Sequence, residues 1–538
     1  MDVTKKKKPI VLVILDGWGE WDIEKGNPFV KAQLPLIERL NDHFPKIYLQ
    51  ASGVAVGLPW GVRGNSEVGH QTIGSGQIVF QFLPTITNAI GDGTFFKNEK
   101  LLGAIDWTKK NNSDLHVVGL LSDGSVHSHI EHLFALLELA KNNGAKEVYI
   151  HAVTDGRDTH PQSAKRFLEM LQNKIKEIGI GKIATLSGRY FAMDRNNNWD
   201  RVEKSFLAIT SGIGVSETNP YAAIDNQYAR NIFDEYLEPV VMEDETGQPV
   251  GLVKDNDALI CFNFRKDRSR QITKSFVLPD FNEFKTTARP KNVKYVCFAQ
   301  YEEGLPADVA FKEQEITVRL GEILAKNWKR QLRIAETEKY AHVTYFFNGG
   351  MEEPFFYEDR VLIPSKRVAT YADAPEMSAT EITDKLLDAV TNHNYDFILV
   401  NYANSDMVGH TGNYAAAVKA LQHVDGCLSK LIQAVFEKDG ELIITADHGN
   451  VEELLNVYTG EPDTQHSKNV VPCWYVSQDS WIEKPMGSKK KEAQGLLADL
   501  APTILELMEL EKSSLMTGSS LLREFKKQMP EIDDEIRD

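Results

Sequence analysis

The sequence contains few cysteines, and none of them lie close together. Its 538 residues include four cysteines, which are widely separated and form no CxxC motif. They are Cys261, Cys297, Cys427 and Cys473. A disulfide framework or a thiolate zinc site needs closer or regularly spaced cysteines, so neither is indicated.

Long hydrophobic runs are also lacking. No apolar stretch approaches the roughly 20 residues that a membrane-spanning helix needs. The basic run Lys5–Lys8 followed by PIVLVIL resembles the start of a signal peptide, but its apolar part is short, continues directly into Asp16 and lacks a small-residue cleavage site. We interpret it as a solvated tail that enters a buried strand, and we expect a cytoplasmic protein that does not bind membranes.

Basic residues are also fewer than acidic residues. The chain carries 60 lysines and arginines against 77 aspartates and glutamates, which gives a formal charge of −17. Such a charge disfavours non-specific binding to nucleic acid or to an anionic membrane. It would also repel an anionic substrate unless a local cluster of basic residues reversed the sign.

What the chain does contain is ample apolar sequence, arranged in a repeated pattern. Hydrophobic residues make up 42% of the chain, and its length favours two domains or one domain with a large insertion. Short apolar runs end abruptly in polar residues and turn formers, as in IVLVILDGWG (10–19), DLHVVGLLSDGSVHSH (114–129), EVYIHAVTDGRDT (147–159), YDFILVNYANSDMVGH (395–410) and ELIITADHGN (441–450). Strands buried on both faces have this pattern, and helical patterns at 130–143 and 413–437 alternate with them. The sequence therefore predicts an α/β protein with mostly parallel sheets.

Carboxylates and imidazoles follow several of these apolar runs. In such sheets, ligands gather beyond the carboxyl ends of the strands, so these side chains are candidates for a common site. The candidates are Asp16, Asp406, His410, Asp447, His448 and the loop residue His466. Together they supply a mixed oxygen and nitrogen donor set that is sufficient for two divalent ions.

The stretch GVRGNSEVGH (61–70) places a serine in a glycine-rich turn. Ser66 could be a nucleophile, or Asn65 or Ser66 could cap a helix that starts at Glu67, and the two interpretations are compatible. His70 lies one helical turn further on, where it could act as a base or pack in the interior.

A basic cluster lies between the metal-type segments. It comprises His127, Arg157, Asp158, Arg189, Arg195, Arg265 and Arg268. Guanidinium groups bind phosphate and carboxylate in a bidentate manner, which suits a small phosphorylated acid. Because the metal-type residues flank this region in sequence, we expect one domain to be inserted into another, with the active site between them.

The motifs VILDGWG, GNSEVGH, TDGRDT, SGRYFAMDR, NFRKDR and TADHGN occur in order between about Ile10 and the region after His466. As an ordered set they resemble the cofactor-independent phosphoglycerate mutases of the alkaline phosphatase superfamily. The resemblance implies an alkaline phosphatase-like, metal-binding domain at 1–80 and 314–538, interrupted by an α/β substrate-binding domain at 81–313. It further implies a monomer that acts on small phosphoglycerates.

The same resemblance implies a mechanism and its residues. 3-Phosphoglycerate and 2-phosphoglycerate would be interconverted through a phosphoserine at Ser66, with two divalent ions, usually manganese, and without 2,3-bisphosphoglycerate. One ion would be held by Asp16, Ser66, Asp447 and His448, and the other by Asp406, His410 and His466. The basic cluster would bind the glycerate and its phosphate, with Asp158 as proton shuttle and His127 in support. Lys339 would lie beside the transferring phosphoryl group.

Two alternatives compete with this interpretation. A metal-dependent phosphomonoesterase or another phosphomutase could use the same metal cluster, although the density of arginines argues against it. A non-catalytic binding protein would be expected to lack a ligand or the nucleophile, and none is missing. Two stretches differ from the family pattern: Gln77 stands where an arginine is usual, and Val62-Arg63 replace uncharged or acidic residues that end in methionine.

Overall fold

A computed structural model describes residues 8–286, 289–485 and 490–529. The chain forms two compact units: unit 1 contains the residues up to Phe80 and those from Glu315 onward, and unit 2 is the continuous segment Gln81–Gln314. Most of the expected lysine tail, residues 5–7, lies outside the described residues, as do residues 530–538.

Strands and helices alternate along the described chain. The strands are β1 (Ile10–Leu15), β2 (Lys46–Gln50), β3 (Leu115–Leu120), β4 (Val148–Thr154), β5 (Lys182–Gly188), β6 (Val215–Glu217), β7 (Val240–Met242), β8 (Ala258–Cys261), β9 (Lys294–Cys297), β10 (Asp308–Val309), β11 (Gln331–Glu336), β12 (Glu358–Ile363), β13 (Phe397–Tyr402), β14 (Glu441–Thr445), β15 (Val471–Val476) and β16 (Gly495–Leu496).

The α-helices are α1 (Pro35–His43), α2 (Ser66–Ser75), α3 (Phe82–Asp92), α4 (Glu99–Asn111), α5 (Ile130–Asn142), α6 (Ala164–Ile178), α7 (Arg189–Ala192), α8 (Trp199–Ser211), α9 (Pro220–Tyr228), α10 (Arg270–Val277), α11 (Leu320–Lys326), α12 (Thr337–Ala341), α13 (Ala379–Asn392), α14 (Asn404–Gly409), α15 (Tyr414–Glu437), α16 (Leu500–Leu507) and α17 (Leu522–Lys526). A π-helical turn, His342–Phe346, follows α12 directly.

The sheet of unit 1 has the strand order β12-β11-β13-β1-β14-β15-β2-β16. The five strands from β12 to β14 are parallel to one another, and β15 is antiparallel to both of its neighbours. Every residue of β1 and of β13 is buried, and burial of each such aliphatic side chain stabilises the fold by roughly 1.5–3 kcal/mol. These two strands are therefore the centre of the apolar core.

The sheet of unit 2 has the order β10-β9-β8-β3-β4-β5-β7-β6. Its six strands from β10 to β5 are parallel, and β7 pairs with β5 in the antiparallel direction. The apolar core of this unit includes Leu115 and Val117 of β3 and the helix α5. Each unit thus has its own sheet and its own core.

These elements confirm the predicted α/β class. The five apolar runs that predicted buried strands form β1, β3, β4, β13 and β14, and the two predicted helical segments form α5 and α15. None of the helices in the described ranges is both long and apolar enough to cross a membrane. The four cysteines are buried and carry free thiols.

Candidate functional site

The carboxyl ends of four neighbouring strands carry three of the predicted metal-type residues of unit 1 and Lys339. Asp16 follows β1 directly, Asp406 lies in α14 just after β13, and Asp447 lies two residues beyond β14. Lys339 lies in α12, which begins immediately after β11. Because β11, β13, β1 and β14 are adjacent and parallel, these side chains meet at one edge of the sheet.

Helix α2 brings Ser66 to the same place. The helix begins at Ser66, one residue earlier than the sequence predicted, and the side chain of Asn65 caps it by accepting a hydrogen bond from the Val68 N–H (3.0 Å). Of the two candidate caps, Asn65 is therefore the one that is used. The hydroxyl group of Ser66 remains available for other contacts.

The Ser66 hydroxyl lies in the middle of the first predicted ligand set. Its Oγ is 3.2 Å from Oδ1 of Asp16 and 3.0 Å from Nε2 of His448. Nε2 of His448 is also 3.4 Å from Oδ1 of Asp16 and 3.6 Å from Oδ2 of Asp447. That Asp447 oxygen is buried and accepts no hydrogen bond from the described residues, although Nδ1 of His70 lies 3.2 Å from it. A cation at this position would satisfy it.

The second predicted ligand set also converges. Oδ1 of Asp406 lies 3.2 Å from Nε2 of His410 and 3.2 Å from Nε2 of His466, and the two Nε2 atoms are 3.1 Å apart. Three donor atoms at such mutual distances can share one ion with bonds of about 2.0–2.2 Å.

Backbone carbonyl groups orient the three imidazoles. Nδ1 of His410 lies 2.7 Å from the Thr464 carbonyl oxygen, Nδ1 of His466 lies 2.8 Å from that of Gly64, and Nδ1 of His448 lies 3.2 Å from that of Gly449. In the neutral form of each imidazole, a proton on Nδ1 leaves the lone pair of Nε2 facing the cluster, as in histidines that bind metals. The residues of both sets therefore fit divalent ions.

Lys339 is a buried cation within this cluster. Its Nζ lies 2.8 Å from Oδ1 of Asp16, 2.8 Å from Oγ of Ser66 and 2.5 Å from Oδ2 of Asp406. Burial opposes its charge, but Asp16 and Asp406 raise the pKa of Lys339 well above its usual value. Burial would likewise raise the pKa of both carboxyl groups, but Lys339 holds both pKa values well below their usual range.

His448 is affected by the same charges. Burial lowers the pKa of its imidazole, but Asp447 and Asp16 more than compensate and raise the pKa to about 9.

Polar residues that the sequence analysis did not assign support these ligands. Nδ2 of Asn401 donates to Oδ2 of Asp16 (2.7 Å) and lies 3.0 Å from Nε2 of His70. Nδ1 of His70 lies 2.8 Å from the carbonyl oxygen of Ser66, so His70 packs in the interior and contacts the serine backbone. Asn450 donates to Oδ1 of Asp406 (2.7 Å).

Both departures from the family pattern make specific contacts. Arg63 donates from Nη1 to the side chain of Gln465 (2.5 Å) and from Nη2 to Asp463 (3.2 Å). It thereby joins the loop before Ser66 to the loop that carries His466. The buried side chain of Gln77 donates to the carbonyl oxygen of Leu515 (2.5 Å).

In unit 2, Arg189 and Asp158 form the centre of the basic cluster. The buried Nη1 of Arg189 lies 2.5 Å from Oδ2 of Asp158 and 2.5 Å from Oδ1 of Asp155. Burial acts to raise the pKa of Asp155, but a hydrogen bond from Ser122 and the charge of Arg189 lower it. Asp155 was not among the predicted residues, yet it fixes the position of Arg189.

His127 lies between two carboxylates. Its Nε2 is 3.9 Å from Oδ2 of Asp158 and its Nδ1 is 3.8 Å from Oδ1 of Asp267. Burial, and then the charge of Arg189, lower the pKa of His127 to about 4. His127 is therefore neutral at physiological pH.

The other predicted arginines are distributed around the pair formed by Arg189 and Asp158. Arg195 and Arg265 lie 3.0 and 3.1 Å from the carboxylate of Asp267, which the sequence analysis had not assigned. Arg268 donates to the carbonyl oxygen of Met193 (3.0 Å), and burial and the charges of neighbouring arginines lower its pKa. Arg157 is half-exposed and pairs with Glu235 (3.6 Å).

Known proteins resemble this chain over almost its whole length. Residues 86–303 match the family model described as BPG-independent PGAM N-terminus, and residues 304–487 match the model described as type I phosphodiesterase / nucleotide pyrophosphatase. The second match agrees with the expected alkaline phosphatase-like fold. The fold and the matches thus define an α/β enzyme that acts on phosphate esters.

Individual relatives are more specific. Proteins named 2,3-bisphosphoglycerate-independent phosphoglycerate mutase from Clostridium perfringens (50% identity, 96% of this chain and 99% of the relative) and Methanosarcina barkeri (48%, 97% and 99%) are similar to it. A crystal structure of Leishmania mexicana phosphoglycerate mutase at low cobalt concentration matches with 30% identity and a TM-score of 0.53, covering 96% of this chain and 98% of that one. The chain belongs to the family of 2,3-bisphosphoglycerate-independent phosphoglycerate mutases.

Proposed function

We propose that the protein interconverts 3-phosphoglycerate and 2-phosphoglycerate by transferring the phosphate to Ser66 and back, with two divalent ions, preferably manganese, and without 2,3-bisphosphoglycerate. The observation that carries the proposal is the placement of the Ser66 hydroxyl within 3.2 Å of Asp16, His448 and Lys339. The names of the relatives agree with it, as does the use of cobalt, a divalent metal, with the Leishmania mexicana enzyme.

Asp16, Ser66, Asp447 and His448 would hold one ion, and Asp406, His410 and His466 the other. When bound, the ions lower the pKa of the serine hydroxyl and offset negative charge on the phosphoryl oxygens. Manganese accepts both carboxylate and imidazole ligands, as this donor set provides.

The residues of unit 1 would carry out the transfer itself. Ser66 Oγ forms a bond to phosphorus while the bond from phosphorus to the glycerate oxygen breaks. The Lys339 ammonium, 2.8 Å from that Oγ, donates to a phosphoryl oxygen. The first N–H groups of α2 also favour an anion at this end of the helix.

The residues of unit 2 would hold the glycerate while the phosphate is on Ser66. Guanidinium groups of the basic cluster bind its carboxylate and the phosphate of the incoming substrate. Asp158, held by Arg189, moves one proton from the glycerate hydroxyl that will accept the phosphate to the oxygen that loses it, and Ser66 Oγ begins and ends the cycle deprotonated. His127 supports it as a neutral hydrogen-bonding group. We accordingly propose residues 1–80 and 314–538 as the metal-binding domain and 81–313 as the substrate-binding domain.

The test follows the glycerate. The enzyme is given unlabelled 3-phosphoglycerate in an excess of carbon-labelled free glycerate, with manganese and without 2,3-bisphosphoglycerate. Transfer within one binding event predicts 2-phosphoglycerate with almost no label and little free phosphate. Abundant label would show that glycerate escapes between the two transfers, and abundant phosphate would show a phosphomonoesterase. Metal-stripped protein should be inactive until manganese is added back.

A further inference from the structure

Glu452 is a fully buried carboxylate that accepts four hydrogen bonds. Its Oε2 accepts from the backbone N–H of Gly19 (3.0 Å) and of Asn450 (2.9 Å). Its Oε1 accepts from the hydroxyl of Ser467 and from the side chain of Asn469 (3.0 Å). Burying an ionised carboxylate is costly unless donors surround it, and here each oxygen has two.

These donors come from three different loops of unit 1. Gly19 lies in the loop that follows Asp16, Asn450 in the loop that carries Asp447 and His448, and Ser467 next to His466. Asn450 in turn donates from its side chain to Oδ1 of Asp406 (2.7 Å). One carboxylate thus connects the segment of Asp16, the segment of Asp447 and His448, and the segment of His466, and Asn450 links this group to Asp406.

Glu452 also explains two glycines of the sequence motifs. A Cβ atom at Gly19 would lie 2.2 Å from Oε1 of Glu452, and a Cβ at Gly449 would lie 2.4 Å from the same oxygen. A side chain at either position would therefore collide with this hydrogen-bonded carboxylate, and at Gly449 also with the hydroxyl of Ser467, 2.3 Å away. Gly19 of DGWG and Gly449 of TADHGN are therefore matched to a residue that lies outside both motifs.

From these contacts we infer that Glu452 is a positioning residue for the divalent-ion site, above all for the ion of Asp406, His410 and His466. The inference rests on the proposed function. Asp406 is held by Asn450, and His466 precedes Ser467, so two of the three ligands depend on donors to Glu452. A glutamine at this position would present an NH₂ group to two donors, and the loops would have to separate.

The test measures metal binding by the full chain. Metal-free wild type, Glu452→Gln and the neighbouring control Glu453→Gln are titrated with Mn²⁺ and followed by electron paramagnetic resonance of the free ion. Loss of an outer partner of metal ligands lowers affinity about 10- to 100-fold. We expect such a loss for one of two ions in Glu452→Gln and wild-type binding in Glu453→Gln. Excess Mn²⁺ should restore most of the kcat of Glu452→Gln.

Binding of both ions by Glu452→Gln within twofold of wild type would overturn the inference, as would a lowered melting temperature with unchanged affinity. If Glu452→Gln does not fold, Ser467→Ala decides, because it removes one donor only: weaker binding of one ion supports the role, and unchanged binding refutes it. A wild type that binds fewer than two ions would instead refute the proposed function.

Discussion

The ammonium nitrogen of Lys339 lies 2.8 Å from the hydroxyl oxygen of Ser66, although the two residues are 273 positions apart. Both side chains are buried. The same nitrogen contacts Asp16 and Asp406, one carboxylate from each proposed ligand set. Lys339 thus links both ligand sets to the serine. Because it contacts the serine hydroxyl with a positive charge, we expect its role to differ from that of the metal ligands.

Replacement of this lysine should separate catalysis from metal binding. Lys339→Met removes a preorganised positive charge next to the proposed phosphate acceptor, so kcat should fall by about 100- to 1,000-fold. Manganese affinity should not weaken, because the ammonium no longer competes for Asp16 and Asp406. Steady-state kinetics and Mn²⁺ titration test this, with the exposed Lys326→Met as control. A kcat within tenfold of wild type would contradict the role.

Replacement of Ser66 by alanine should affect activity, whereas replacement of Asn65 by alanine should affect stability. Ser66→Ala should abolish turnover and change stability little, because Asn65 caps the helix. Asn65→Ala should instead lower the free energy of unfolding by about 1 kcal/mol. The mutase assay and urea unfolding compare them. More than a few per cent of activity in Ser66→Ala would exclude a phosphoserine intermediate.

The strand-end residues could be predicted because a local pattern identifies them. Asp16, Asp406 and Asp447 follow continuous apolar runs, and parallel strands bring such positions together. Lys339 had no such signal, since ETEKYAHVT is an ordinary helical sequence, and only the family resemblance indicated it. The resemblance likewise supplied the division of the ligands into two sets.

Other parts of the site could not be predicted because they depend on distant neighbours. Asn401 lies inside an apolar strand, and only the structure places its amide 2.7 Å from Asp16. Glu452 and Asp267 occur in charged surface-like sequence, yet Glu452 is fully buried and Asp267 contacts two arginines. Burial and partners of this kind follow from tertiary packing, which no local pattern encodes.

Arg265 should act on the substrate and leave the metals unaffected. Its guanidinium lies 3.1 Å from Asp267 in unit 2, which contains none of the proposed metal ligands. Arg265→Ala should lower kcat/KM by a factor that corresponds to a loss of binding free energy on the order of 2–4 kcal/mol, mainly through a higher KM. Arg230→Ala is the matched control, because Arg230 is an exposed arginine of the same unit that pairs with Glu238. Loss of manganese at an unchanged KM would contradict this assignment.

Buried histidines of unit 2 should make the protein less stable as the pH falls. Burial lowers the pKa of His132 to about 3 and that of His151 well below 6.5. The unfolded chain, with histidine pKa values near 6.5, therefore binds more protons below that pH, and stability decreases from about pH 6.5 to 5. Each histidine contributes up to about 1.4 kcal/mol per pH unit.

Urea unfolding of the metal-free protein across this range measures the effect. His132→Gln should reduce the slope of stability against pH by about one proton. A slope that does not change with this substitution would contradict the prediction.

The central strand of unit 1 has a consequence for synthesis on the ribosome. β1 is made first, but its register partners are the segments Phe397–Tyr402 and Glu441–Thr445, which emerge much later. Unit 2 is continuous and complete at Gln314. We expect nascent chains stalled shortly after that residue has left the ribosome to protect unit 2 from protease while β1 is still cleaved. The segment that ends in Asp16 would thus remain unpaired, and exposed to chaperones, until these two partner segments have been synthesised.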